Sequence, residues 1–202
     1  MLITTNRCLL PLRLLVAVGV LIVHTHASAK PTERLGIGLR FSYMPTGTFA
    51  LQYDNGIARS DTASAIHAFG VGAFLDYAFN SYVAVGIGPE AVLNVLPDIQ
   101  PKRARHMLNI AARMKLTYPL SQRLHLYAVV APGYGVIFLD PIKPRGFTLA
   151  GSAGTAFRLT RMNAVFVELG YLAGFQRTNG DYPGERYSPS YLVTSCGWQF
   201  SI

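Results

Sequence analysis

Seven ionisable residues, Arg40, Asp76, Glu90, Arg113, Lys115, Arg158 and Glu168, stand inside stretches otherwise built of apolar and small residues. Four are basic and three acidic, so they nearly balance. Charges taken out of water must be paired or hydrogen-bonded, and the chemistry this set predicts is an internal ion-pair network, with Glu90 facing Arg113 and Arg158 facing Glu168. The other use for such a set is the polar lining of a narrow solute path. Covalent or acid–base catalysis needs a nucleophile beside an oriented base. Beyond the N-terminal segment the candidate bases are His67, His106 and His125, and no Ser, His and acid cluster accompanies them. No spaced set of His, Cys or carboxylates suits a metal. No catalytic residue, metal ligand or cofactor is therefore assigned. Lys102, Arg103 and Arg105, followed by His106, form a basic cluster of the kind that touches phosphate groups or an acidic partner.

These residues must be positioned by the part of the chain beyond an N-terminal leader. Arg7 and Arg13 precede an apolar run over 14–23, and Ala27-Ser28-Ala29 offers small residues for cleavage, the layout of a secretory signal peptide. The uncharged stretch over 14–29 is shorter than the roughly 20 residues a membrane-spanning helix needs. Residues 1–29 are read as the leader and 30–202 as one domain. Cys8 precedes the apolar run rather than the cleavage point, which argues against a lipidated cysteine. Cys196 is then the one cysteine of the mature chain, leaving no internal disulfide. Without Arg7 and Arg13, 16 of the 18 basic residues remain against 10 acidic ones. That excess is spread thinly and forms no nucleic-acid module.

From residue 34 onward no segment keeps a 3.6-residue apolar period, whereas a period of two recurs eight times. The predicted strands cover 35–43, 68–79, 82–93, 107–118, 124–138, 147–159, 164–176 and a final one from 192 to 202. In the fourth, Leu108, Ile110, Ala112, Met114, Leu116 and Tyr118 alternate with Asn109, Ala111, Arg113, Lys115 and Thr117. The connections alternate too. Asn80-Ser81, 119–123 and 160–163 are short, while 44–67, 97–106, 140–146 and 177–190 are long and rich in turn-forming residues. Both termini then fall at the short-turn end. Pro89 and Pro132 lie inside strands, where a missing N–H predicts a bulge or a ladder break.

Alternation alone fits either a soluble barrel with an apolar lumen or a membrane barrel with an apolar outside. The face opposite the apolar one decides between them. It is mostly Gly, Ala and Ser with isolated charges, too poor in Lys, Glu and Asp for a water-facing surface. Eight strands enclose an interior just wide enough for side chains to fill, and the glycines leave room there for a few long charged ones. Aromatics gather near strand ends on the apolar face. Tyr77, Phe79, Tyr118, Phe157, Trp198 and Phe200 mark one end, and Phe41, Tyr43, Phe69, Phe138, Phe147 and Phe175 the other, as bilayer interfaces require.

With these features the chain resembles the small eight-stranded outer-membrane barrels of the OmpA and OmpX type across nearly all of the mature chain. The resemblance implies an all-β fold, an eight-stranded antiparallel up-and-down transmembrane β-barrel, in the bacterial outer membrane. The terminal stretch from Ser195 to Ile202, with Gly197, Phe200 and Ile202 at the marked positions, is similar to the β-signal read by the barrel-assembly machinery, though it ends on Ile rather than Phe. The barrel is expected to stand without the peptidoglycan-binding domain that follows it in full-length OmpA-type proteins. The partners implied are outer-membrane lipid, lipopolysaccharide and that assembly machinery, with no nucleic acid and a monomeric state. The expected role is structural or surface interaction through the outer loops. A soluble periplasmic ligand-binding barrel and an outer-membrane lipid-modifying enzyme are the alternatives.

Overall fold

A computed structural model describes residues 34–52, 58–61, 67–94, 106–138, 143–178 and 186–202. They form ten strands: β1 (Leu35–Met44), β2 (Gly47–Gln52), β3 (Ala58–Asp61), β4 (Ala68–Ala78), β5 (Val83–Leu93), β6 (His106–Pro119), β7 (Leu124–Phe138), β8 (Arg145–Arg158), β9 (Asn163–Arg177) and β10 (Arg186–Ser201). Strands β1 and β4 to β10 pair in order, all antiparallel, and β1 pairs with β10 to close an eight-stranded barrel. The alternation read from the sequence is thus an up-and-down barrel.

The structure departs from that reading at the long-loop end. Part of the first long connection is the β2–β3 hairpin, and β10 starts at Arg186 rather than 192 because residues 186–191 pair with β2 on one side and with β9 on the other. Tyr43 faces Thr194 and Gly47 faces Tyr191, so three residues of one strand oppose two of the other. This is a β-bulge at Pro45 and Thr46, where β1 bends into β2 above the barrel wall.

All three short turns use one device. Asn80 Oδ1 accepts the N–H groups of Tyr82 and Val83, Ser121 Oγ those of Arg123 and Leu124, and Thr160 Oγ1 those of Met162 and Asn163. A short polar side chain at the second turn position satisfies backbone donors that no strand reaches. Each proline interrupts one ladder without shifting its register. Pairing of β4 with β5 skips Ala73 and Phe74 opposite Pro89, and pairing of β6 with β7 skips Ala112 and Arg113 opposite Pro132, while the other neighbour of each proline stays paired. These are ladder breaks rather than bulges. Pro189 does the same between β9 and β10.

The wall is apolar outside. Leu39, Phe41, Phe69, Val167, Leu169 and Phe175 each keep 55–57% of their surface exposed. In water so continuous an apolar surface would aggregate, and in a bilayer it is the lipid contact. Phe74, Asp76, Glu90, Arg113, Tyr127 and Phe166, all of opposite parity, are buried inside.

Candidate functional site in the barrel interior

From the short-turn end the lumen opens as a vestibule of about 740 Å³, lined by Arg34, Lys115, His125, Arg158 and Arg161 and reaching inward to Asp76 and Tyr127. Deeper in, the lumen is plugged. The Phe74 and Phe166 rings meet edge-on at 5.7 Å, the Arg113 guanidinium lies 4.2 Å over the Phe74 ring, and Ala111, Val129, Ala131 and Ala156 pack beside them. Around and above this plug sits a charge cluster. Arg40 Nη2 donates to Glu90 Oε2 at 2.7 Å and its Nη1 lies 3.8 Å from Glu168 Oε2. Ser42 Oγ donates to Glu90 at 2.8 Å, and Tyr127 Oη donates to Glu168 at 3.0 Å. A void of only about 30 Å³ remains beside Arg40 and Glu168.

The partners differ from those read off the sequence, for a geometric reason. Glu90 stands opposite Asn109 on β6, four residues from Gly86, which opposes Arg113. On β9, Glu168 likewise opposes Gly154 and not Arg158. Four residues along a strand is about 13 Å, too far for either expected pair. The contacts that form instead cross a glycine on the intervening strand. Arg40, Gly72 and Glu90 make one such row, Asp76, Gly86 and Arg113 a second, and Tyr127, Gly154 and Glu168 a third. A Cβ at Gly154 would lie 2.9 Å from Tyr127 Oη and 3.0 Å from Glu168 Cγ, and one at Gly86 would run into Asp76. Each glycine is the gap through which the side chains of next-but-one strands meet.

Of the seven charged residues, Arg40, Glu90 and Glu168 therefore form one cluster, and Asp76 and Arg113 a second, with Arg113 Nε 3.3 Å from Asp76 Oδ1. Lys115 and Arg158 belong to neither. Lys115 Nζ donates to Gln199 Oε1 at 3.0 Å and lies 4.4 Å over the Tyr127 ring, while Arg158 is exposed at the vestibule. Asp76, though buried, makes no side-chain hydrogen bond and faces the vestibule.

The histidines are apart. His125 lines the vestibule, whereas His67 and His106 lie at the long-loop end, His67 with Nδ1 2.6 Å from Tyr43 Oη. Gly197 is covered by the Phe166 ring, Phe200 faces Asn163 and Ile37 across its two ladders, and the Ile202 carbonyl accepts the N–H groups of Arg34 and Leu35. Lys102, Arg103, Arg105 and the leader lie outside the described residues.

One feature of the interior escaped the sequence reading. At the long-loop end the lumen is closed by an apolar cap of Met44, Val92, Met107, Ile137, Leu172, Tyr187 and Tyr191, none more than 6% exposed. The signal was present. Val92 and Leu172 share the parity of Glu90 and Glu168, so apolar residues on the charged face announced a cap.

Comparison with known proteins adds the family. A family model described as the outer membrane protein beta-barrel domain matches residues 14–200. Among solved structures, the outer membrane protein OprG from Pseudomonas aeruginosa is similar at 12% identity, covering 86% of this chain and 98% of that one with a TM-score of 0.59. The outer membrane protein AlkL, determined in DMPC lipid bilayers, is similar at 12% identity over 87% of this chain and 92% of that one, with a TM-score of 0.57. At such identities the likeness is one of fold. No curated protein sequence matches the chain.

Proposed function

Since this chain belongs to the outer membrane protein β-barrel family, we propose that it is a closed barrel whose role is structural or surface-interacting, carried by its outer loops, with neither solute passage nor catalysis in its lumen. The observation that carries this reading is the double closure of the interior. The ring plug and the apolar cap stand in series, with a void of only about 30 Å³ between them. By the rule that outer-membrane barrels have short periplasmic turns and longer outer loops, the vestibule opens to the periplasm and the cap faces outward.

Supporting the absence of catalysis, His125 makes no side-chain hydrogen bond to a serine or a carboxylate among the described residues. The same reading has residues 1–29 as a cleaved export leader and the β10 terminus, with Gly197, Phe200 and Ile202, as the segment the barrel-assembly machinery reads. It has the seven interior charges as structural, and the barrel as a monomer in contact with outer-membrane lipid. Lys102, Arg103 and Arg105 would add a basic loop at the outer surface.

The test is complementation of a deletion strain with the full chain and with a barrel whose connections 53–57, 95–105 and 179–185 are shortened. Both should reach the outer membrane and migrate differently on gels before and after boiling. Only the full chain should restore envelope integrity or cell–surface attachment, whichever the deletion impairs. Full restoration by the trimmed barrel would remove the loops from the function.

A further inference from the structure

The vestibule at the short-turn end, about 740 Å³, has the size of a small-molecule site, roughly 300–1,000 Å³. Three cations converge on it. Lys115 reaches in from β6, Arg158 from β8, and Arg161 from the turn between β8 and β9. Lys115 and Arg158 are close enough for their charges to act on each other. None of the three forms an ion pair among the described residues. The turns around the mouth, 79–82, 119–123 and 159–162, are described throughout and hold no acidic residue. Arg34 lines the vestibule too, but it donates to Tyr77 Oη at 3.3 Å and directly follows Glu33 in the chain, and the site does not need it.

An acceptor stands across from these cations. Around the barrel the strands run β1-β4-β5-β6-β7-β8-β9-β10, which puts β4 and β8 on opposite walls. Asp76 of β4 thus faces the wall that carries Arg158. It is 3% exposed, lies 3.3 Å from Arg113 Nε and borders the vestibule, yet neither carboxylate oxygen accepts a hydrogen bond. Buried acceptors are nearly always hydrogen-bonded, so Asp76 calls for donors from the cavity. Arg113 already matches its charge, and neutral hydroxyl donors suffice. The cations call for an anion, and guanidinium groups bind phosphate through paired N–H donors. Because the two demands come from opposite walls, a bare ion meets only one of them. A ligand that meets both carries its anionic group and its hydroxyls on one body.

We propose that the vestibule is a binding site for a phosphorylated sugar, its phosphate held by Arg158, Arg161 and Lys115 and its hydroxyls donating to Asp76. A phosphate monoester carries a charge of about −1.5 to −2 at neutral pH, which offsets most of the charge of the three cations. Lys115, on β6 midway between β4 and β8 and tied to Gln199 at 3.0 Å, stands between the two ends of the ligand. The site goes beyond the closed-barrel reading. It gives a use to Lys115 and Arg158, which belong to neither ion-pair cluster, and it requires no passage through the plug.

The experiment is titration calorimetry of the chain purified from outer membranes, in detergent micelles and phosphate-free buffer, with glucose 6-phosphate, glucose and inorganic phosphate as probes. The expected result is saturable binding of glucose 6-phosphate, at least ~10-fold tighter than that of inorganic phosphate, and no measurable binding of glucose. R158Q/R161Q, both at exposed positions, should weaken glucose 6-phosphate at least ~10-fold. R177Q/R186Q, which removes the same charge at the opposite end of the barrel, should bind as the unaltered chain does. D76N should weaken glucose 6-phosphate and leave inorganic phosphate unchanged. Heat-dependent gel migration shows which variants have folded, and if D76N does not, the two probes compared on the unaltered chain test the hydroxyl end. No binding of glucose 6-phosphate would overturn the inference, as would equal weakening by R177Q/R186Q, which would reduce the effect to net charge. Inorganic phosphate binding as tightly as glucose 6-phosphate would overturn the sugar assignment. Binding that appears only in E33Q would assign the cations to the chain's own carboxylate and overturn the site. Single-channel recording tests the closed lumen separately, so the failure of one reading is distinguishable from that of the other.

Discussion

Replacing Arg40 with methionine tests the charge cluster where it is most exposed to error. The Arg40 side chain is 19% exposed, whereas those of Glu90 and Glu168 are only 6% and 3% exposed. Without the guanidinium, Glu90 loses its 2.7 Å charge-assisted hydrogen bond, itself worth about 1.5–3 kcal/mol. Glu168 loses the cation 3.8 Å away. The carboxylates keep the hydroxyls of Ser42 and Tyr127 as donors, which solvate but do not neutralise them. Removing one partner of a buried ion pair costs about 3–5 kcal/mol because the other charge is stranded, and here one cation strands two anions. Arg40→Met should therefore lose about 3–5 kcal/mol. Combining it with Glu90→Gln and Glu168→Gln, which remove the stranded charge, should recover most of that. Trp198 is the single tryptophan and lies on the lipid face, so its emission reports insertion. Urea titration of folding into phosphatidylcholine vesicles, followed by that emission, gives the free energies. A loss below about 1 kcal/mol for Arg40→Met, or a triple variant no better than the single one, would mean that water already solvates these carboxylates and that the cluster is not an ion-pair network.

The wall and the turns carry further expected outcomes. Leu169→Arg puts a charge on the lipid face and should cost about 2–4 kcal/mol near the midplane, while Gln122→Arg in an exposed short turn should be nearly silent; equal costs in the same vesicle titration would reverse the assigned faces. Thr160→Ala removes the acceptor for two turn N–H groups and should cost about 0.5–1.5 kcal/mol, with Thr160→Ser restoring it. Gly154→Val should disrupt folding more than Ala153→Val, because only the former intrudes between Tyr127 and Glu168; gel migration before and after boiling compares them. N-terminal sequencing of the protein from outer membranes should begin at Lys30, and an intact Met1 would remove the leader.

What the sequence made legible was whatever repeats every second residue. The fourth strand, read as 107–118, is β6 at His106–Pro119, and β7 matches its expected bounds. Turn lengths were equally plain, since Asn80, Ser121 and Thr160 are turn-forming by type. Pairing across the lumen was not legible. Whether Glu90 meets Arg113 or Arg40 depends on the stagger of three strands, a property of closure rather than of any one segment. In the sequence the glycines that admit these contacts look like generic space, yet Gly72, Gly86 and Gly154 each lie on a row joining two particular side chains. The β2–β3 hairpin was hidden because a short strand inside a long polar connection is defined by its partner, here residues 186–191 of β10.

The closed lumen is tested most directly by single-channel recording of the purified chain in planar bilayers, beside a variant in which Phe74, Phe166, Met107 and Tyr191 are replaced by glycine. The unaltered chain should give no steady conductance, because plug and cap each close the path, and the quadruple variant should give small steady currents if it inserts. Steady porin-sized currents from the unaltered monomer would contradict the closed interior and would mean that the interior charges line water instead of pairing.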